Sequence, residues 1–195
     1  DDGAEQTVTE APTPYELDAD TMTGGMRPIR QAVLSIGSNL GDRAGRLQGA
    51  VSALEDTPEV TVVAISSVYE TDPFGDVPEG SGKFLNAVVL IDTTLTVHTL
   101  LDRAMAIEDA FDRTRSEPGA PRTLDVDIIV VGDRIADDER LTLPHPLASE
   151  RGFVLVPWLE IDVEGEIPGR GFIVDLISGV DVSGVVKRDD VEIML

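Results

Sequence analysis

Four apolar, β-branched runs alternate with two stretches of helical spacing, and their order constrains the chain more than any other feature. The first run, AVLSIG (Ala32–Gly37), ends at a glycine and suits a buried strand. Ser-Asn-Leu-Gly-Asp follows as a turn, with Asp42 a candidate helix cap. Leu47, Val51 and Leu54 then recur at helical spacing to about Asp56. VTVVAISSVYE (Val60–Glu70) reads as one strand and FLNAVVLID (Phe84–Asp92) as the next. Leu95, Leu100, Leu101, Ala104 and Ile107 mark a second helix to about Arg113, and TLDVDIIVVG (Thr123–Gly132) is a fourth strand.

That order, β-α-β-β-α-β, specifies an α+β chain: a ferredoxin-like α/β sandwich with a central, mainly antiparallel sheet flanked by helices. Phe153–Ile161 reads as a short amphipathic helix, with another near Val174–Ser178 and a strand in the tail. Two long polar stretches interrupt the pattern, TDPFGDVPEGSGK (Thr71–Lys83) and RSEPGA (Arg115–Ala120). Loops of such length and composition are often functional.

The 195 residues suit one domain with a tail. Residues 1–26 hold seven acidic side chains and no basic one, so residues 1–30 are expected to form a disordered acidic arm or linker and residues 31–195 the domain. Lys+Arg number 15 against 37 Asp+Glu, a net charge of −22. Such an excess argues against nucleic acid or an anionic membrane as partner. No apolar run reaches 18 residues and no signal-peptide pattern is visible. The absence of cysteine excludes a disulfide scaffold and thiolate metal sites, and fits the cytoplasm. A cytoplasmic monomer is the expectation.

Asp125 and Asp127 lie two apart in an apolar strand and so share a face, about 7 Å apart along the chain. Leu124, Val126 and Ile128 point the other way. Among 22 aspartates this spacing alone favours a solvated face, but ionised groups in an apolar strand are costly unless paired or bound to a cation such as Mg²⁺. Arg113, Arg115, Arg122, Arg140 and Arg151 crowd around the same strand. Arginines beside metal-binding acids are the components of phosphoryl transfer; surface ion pairing is the competing reading. His145, between Pro144 and Pro146, is either a structural histidine or a donor to a phosphate. Phe84 and Phe153 are either core residues or a sandwich for a flat heterocycle, with Asn86 placed to read its edge.

Six segments in this order resemble the 6-hydroxymethyl-7,8-dihydropterin pyrophosphokinase family of folate biosynthesis. They are IGSNLGDR (Ile36–Arg43), SSVYETDPFG (Ser66–Gly75), FLNAVV (Phe84–Val89), PRTLDVDI (Pro121–Ile128), LTLPHP (Leu141–Pro146) and ERGFVLVPW (Glu150–Trp158). The resemblance covers about residues 31–170. It implies transfer of pyrophosphate from ATP, the co-substrate, to the pterin hydroxymethyl group, giving AMP. It further implies that Asp125 and Asp127 hold two Mg²⁺ ions and that Arg113 and Arg122 are catalytic arginines. Arg115, Arg140, Thr142, His145 and Arg151 fall where the family contacts ATP. Thr71, Phe74, Phe84, Asn86 and Phe153 match the pterin pocket, and Glu108 matches an acidic position near the site. The chain departs from the family at Glu117–Pro121, where a common Arg-Trp-Gly is missing and the loop is about one residue shorter.

A catalytically inactive nucleotide- or pterin-binding relative is the alternative, although Asp125, Asp127, Arg113 and Arg122 are all present. An RNA-binding module of the same fold would carry aromatics interleaved with Lys and Arg on its strands, and these strands carry acids and aliphatics. A further folate-pathway domain joined through the acidic arm is a third possibility.

Overall fold

The structure is a computed structural model and describes residues 27–73, 82–111 and 123–195. Residues 1–26 of the expected arm lie outside the described residues, as do Phe74, Arg113, Arg115 and Arg122.

Strand β1 (Arg30–Ser38) leads through the Gly41 turn into α1 (Arg43–Glu55). Asp42 caps α1 as expected, its carboxylate accepting from the Gly45 amide at 3.0 Å. The run Val60–Glu70 is two strands, not one: β2 (Val60–Ile65) and β3 (Tyr69–Thr71). Ser66 makes the break. Its hydroxyl accepts from the Val88 amide (2.9 Å) and donates to the Ser67 carbonyl (2.7 Å), so a side chain replaces part of the ladder. Then come β4 (Phe84–Thr93), α2 (Val97–Phe111) and β5 (Asp125–Val131).

β4 pairs with β2 and β3 on one side and with β1 on the other, and β5 takes the far side of β1. Every pairing is antiparallel, which is the ferredoxin-like order. One face of the sheet buries Leu34, Ile36, Val89, Ile91 and Val126 against Leu47, Val51 and Leu54 of α1 and Leu100 and Ala104 of α2.

The rest of the chain covers the other face. A small hairpin, β6 (Ala136–Asp137) with β7 (Thr142–Leu143), leads through a cis Leu143–Pro144 bond to α3 (Gly152–Ile161). Val154, Leu155 and Trp158 of α3 pack on Val33, Val88, Leu90 and Ile129. Helix α3 is apolar at nearly every position rather than amphipathic, because it is wedged between the sheet and the tail: a Cβ on Gly152 would stand 3.2 Å from the Asp181 carbonyl and from Val185. Then come β8 (Glu166–Ile167), β9 (Gly171–Phe172) and α4 (Ile173–Leu176), which continues as a 3-10 turn to Gly179. Finally β10 (Val186–Lys187) pairs with β3 and closes that edge of the sheet. Among the described residues no helix is long and apolar enough to cross a membrane.

Candidate active site

Helix α3 covers only part of its face. Where it stops, the sheet floors a cavity of about 270 Å³ lined by Ser35, Gly37, Thr71, Asp72, Phe84, Asn86, Asp125, Asp127, Arg151 and Phe153. Strand register sets the floor. Gly37 of β1 lies directly between Asn86 of β4 and Asp125 of β5, and Ser35 lies between Val88 and Asp127. Alternation thus turns Asp125 and Asp127 into the cavity while Val126 enters the core.

The heterocycle end is preorganised. Asn86 is buried, and its amide NH₂ donates to the Thr71 hydroxyl at 2.7 Å. Its Oδ1 stands where a side chain on Gly37 would have to go, 2.7 Å from an added Cβ. Glycine at 37 therefore fits a close approach, not a special backbone angle. Phe84 and Phe153 face the same cavity from β4 and from the start of α3.

The acidic end is braced from three directions. Arg151 sits 3.7 Å from the Asp127 carboxylate, with its guanidinium 5.4 Å from the Phe153 ring centroid. Glu108 of α2, almost fully buried, accepts the Val126 amide at 2.8 Å and so fixes the residue between the two acids on an edge strand. The third brace starts at a β-bulge in β5, where Ile129 and Val130 both turn to the α3 face. The Ile129 carbonyl accepts the His145 amide at 2.8 Å and docks the Pro-His-Pro segment beside Asp127. Burial lowers the His145 pKa, Asp127 partly offsets this, and Arg151 lowers it again. Nδ1 accepts from the Leu147 amide (3.2 Å), which leaves Nε2–H as a donor.

Thr71, Phe84, Asn86, Asp125, Asp127, Arg151 and Phe153 are therefore brought together, with His145 alongside. Arg140 and Thr142 are not among the cavity's lining residues. Arg140 pairs instead with Asp102 of α2, and its amide bonds Asp138, which also holds His98 at 2.7 Å. Thr142 is exposed on β7. Sequence reasoning missed Ser35 and Asp72 as lining residues. Ser35 carried a usable signal, as a hydroxyl inside an otherwise aliphatic strand.

Two carboxylates on one wall of an open cavity form a hard, all-oxygen donor set. Among the described residues no group of three or more acids and histidines forms an all-protein cage. The aspartate pair itself fits Mg²⁺, which takes oxygen ligands and shares substrate phosphates.

Comparison with known proteins agrees with this geometry. The model of the family 7,8-dihydro-6-hydroxymethylpterin-pyrophosphokinase (HPPK) matches residues 33–163. A Methylorubrum extorquens 2-amino-4-hydroxy-6-hydroxymethyldihydropteridine pyrophosphokinase is 43% identical over 159 residues, covering 82% of this chain and 99% of the relative. The protein of the same name from Pseudomonas aeruginosa is 34% identical over 82% of this chain and 97% of its own length. Among solved structures, a Plasmodium falciparum HPPK-DHPS superposes with a TM-score of 0.63 at 14% identity, which speaks to fold alone. The match covers 79% of this chain and 44% of that longer one.

Proposed function

This chain belongs to the 7,8-dihydro-6-hydroxymethylpterin-pyrophosphokinase family, and we propose that its cavity binds the pterin and the ATP phosphates side by side for pyrophosphate transfer. One observation carries the reading: the aromatic and amide wall and the aspartate pair line a single cavity of about 270 Å³. The reaction is that of an ATP-dependent diphosphotransferase in folate biosynthesis. The pterin hydroxymethyl oxygen bonds to the β-phosphorus, the bond from that phosphorus to the α,β-bridging oxygen breaks, and AMP leaves.

In this reading Phe84 and Phe153 hold the flat ring between them, and Asn86 reads its edge with an amide already oriented by Thr71. Holding the hydroxyl in line with the phosphorus is the main contribution, because phosphoryl transfer asks chiefly for positioning and charge stabilisation. Asp125 and Asp127 would hold Mg²⁺, two ions by the resemblance, and the metal would neutralise charge on the ATP phosphates. Arg151 keeps Asp127 and Phe153 in place together. His145, whose Nδ1 accepts from the Leu147 amide, offers Nε2–H to a phosphate oxygen. The resemblance assigns catalysis to Arg113 and Arg122 and ATP contacts to Arg115, Arg140 and Thr142.

The test is AMP release from ATP and Mg²⁺, measured with and without 6-hydroxymethyl-7,8-dihydropterin. Pterin-dependent AMP is the expected result. ADP would mean γ-phosphoryl transfer instead, and binding of both ligands without turnover would mean an inactive relative.

A further inference from the structure

We propose that Arg188, in the tail beyond the family match, is a positioning residue for the heterocycle end of the pocket. The proposal rests on the functional reading above. It starts from a chain of charges on the outer side of β3. Glu70, three-quarters buried, accepts with one oxygen, Oε2, from two arginines: Arg43 Nη1 at 2.9 Å and Arg188 Nη1 at 2.8 Å. Arg188 uses its remaining edge on Asp190, with Nε at 2.7 Å and Nη2 at 2.8 Å. Two cations and two anions thus balance.

What the cluster touches makes it relevant to the pocket. Glu70 immediately precedes Thr71, whose hydroxyl fixes the Asn86 amide. The same Arg43 Nη1 also donates to the Lys83 carbonyl at 2.8 Å, immediately before Phe84. Thr71 and Phe84 are themselves the last residue pair of the β3–β4 ladder. The cluster therefore grips both strands one residue away from two pocket-lining side chains, Thr71 and Phe84. Without Arg188, Glu70 keeps only Arg43, which it must share with the Lys83 carbonyl, and the end of the ladder loses one of its two holds.

The backbone of the tail is held independently of this side chain. The Arg188 amide donates to the Val68 carbonyl at 2.8 Å, and Met194 exchanges bonds with Gln48 through its amide and carbonyl, both at 2.8 Å. Removing the guanidinium should loosen the pocket wall without releasing the tail.

The experiment compares wild type with Arg188→Ala, Arg188→Lys and Asp190→Asn, reading KM for each substrate, kcat, and pterin affinity by fluorescence titration. Arg188→Ala is expected to raise the pterin KM and Kd by about fivefold to tenfold, leaving kcat and the ATP KM within about twofold. Arg188→Lys, which keeps a cation for Glu70, should recover most of the loss. Asp190→Asn, which weakens the tail pair and spares Glu70, should match wild type. Equal rises in both KM values, an unchanged pterin Kd in Arg188→Ala, or the same defect in Asp190→Asn would overturn the proposal. Wild-type protein that binds pterin but makes no AMP breaks the functional reading instead, and the Kd series still decides the role of Arg188. Wild type that binds no pterin overturns both.

Discussion

The two faces of the sheet are made by the same strands and end differently. Toward α1 and α2, β1, β4 and β5 present aliphatic side chains along their length, and two amphipathic helices cover them. Toward α3 the same strands are aliphatic at one end only. At the other end they present Ser35, Gly37, Asn86, Asp125 and Asp127, and the helix stops short of them. A strand alternates with period two, so one sequence can fill a core with every second residue and furnish a site with the others. Stability should therefore live on the closed face and chemistry on the open one, and each substitution below strains that division.

The largest effect is expected on the open face. Asp127→Ala should reduce Mg²⁺-dependent turnover by about 10²–10³-fold or more. Its ion-pair partner, Arg151, is 3.7 Å away at a part-exposed site, so unfolding free energy should move by less than about 1 kcal/mol. Near-normal turnover would remove the metal assignment. Leu34→Ala is the mirror experiment. Leu34 is fully buried on the closed face and lies beside Ser35 in the chain. Denaturant unfolding should show a loss of about 2–5 kcal/mol while turnover per folded molecule stays within about twofold. A large drop in kcat without lost stability would mean that the faces are not separable.

Gly37→Ala sharpens the boundary between them. The added methyl would meet Asn86 Oδ1 at 2.7 Å and the Phe84 ring at 3.7 Å. We expect the pterin KM to rise about tenfold, the ATP KM to hold, and stability to fall by about 1 kcal/mol. Equal KM changes for both substrates would argue that Asn86 does not read the heterocycle.

Much of this division was legible in the sequence. The order of runs specified the topology, the Asp-Val-Asp spacing put both acids on one face, and Asp42 announced its helix. What escaped depends on partners remote in the chain. The break at Ser66 arises because its hydroxyl finds Val88, and a β-branched run carries no sign of that. The bulge at Ile129 hides inside an unbroken aliphatic run, yet it docks His145. The resemblance places Arg140 among the ATP contacts, and here it pairs with Asp102 on α2, 38 residues away. The hold of the tail on Glu70 spans 118 residues and follows no local period.

The smallest effect concerns how α3 grips the sheet near β3, where the contact is polar rather than aliphatic. Glu160 of α3 accepts the Ser67 amide at 2.6 Å and the Tyr69 hydroxyl. Burial pushes the Glu160 carboxyl up, but the hydrogen bonds from Tyr69 and Ser67, with Lys187 nearby, bring it below its ordinary value of 4.5. Burial, then the bond to Glu160 and its charge, raise Tyr69 above its ordinary 10.0. A depressed carboxylate stabilises the fold above its unfolded pKa, and that contribution is lost as pH falls through the folded value. A raised phenol stabilises below its unfolded pKa, and its share is lost as pH climbs past 10 toward the folded value. The pair should hold stability flat from about pH 5 to 10 and weaken it on either side. Glu160→Gln should lower the urea midpoint at pH 7 slightly and converge on wild type near pH 3. Tyr69→Phe should remove the loss on the alkaline side. Neither residue lines the site cavity, so turnover at pH 7 should remain within about twofold for Glu160→Gln. A gap between Glu160→Gln and wild type as wide at pH 3 as at pH 7 would show that charge on Glu160 contributes nothing to the hold of α3 on the sheet.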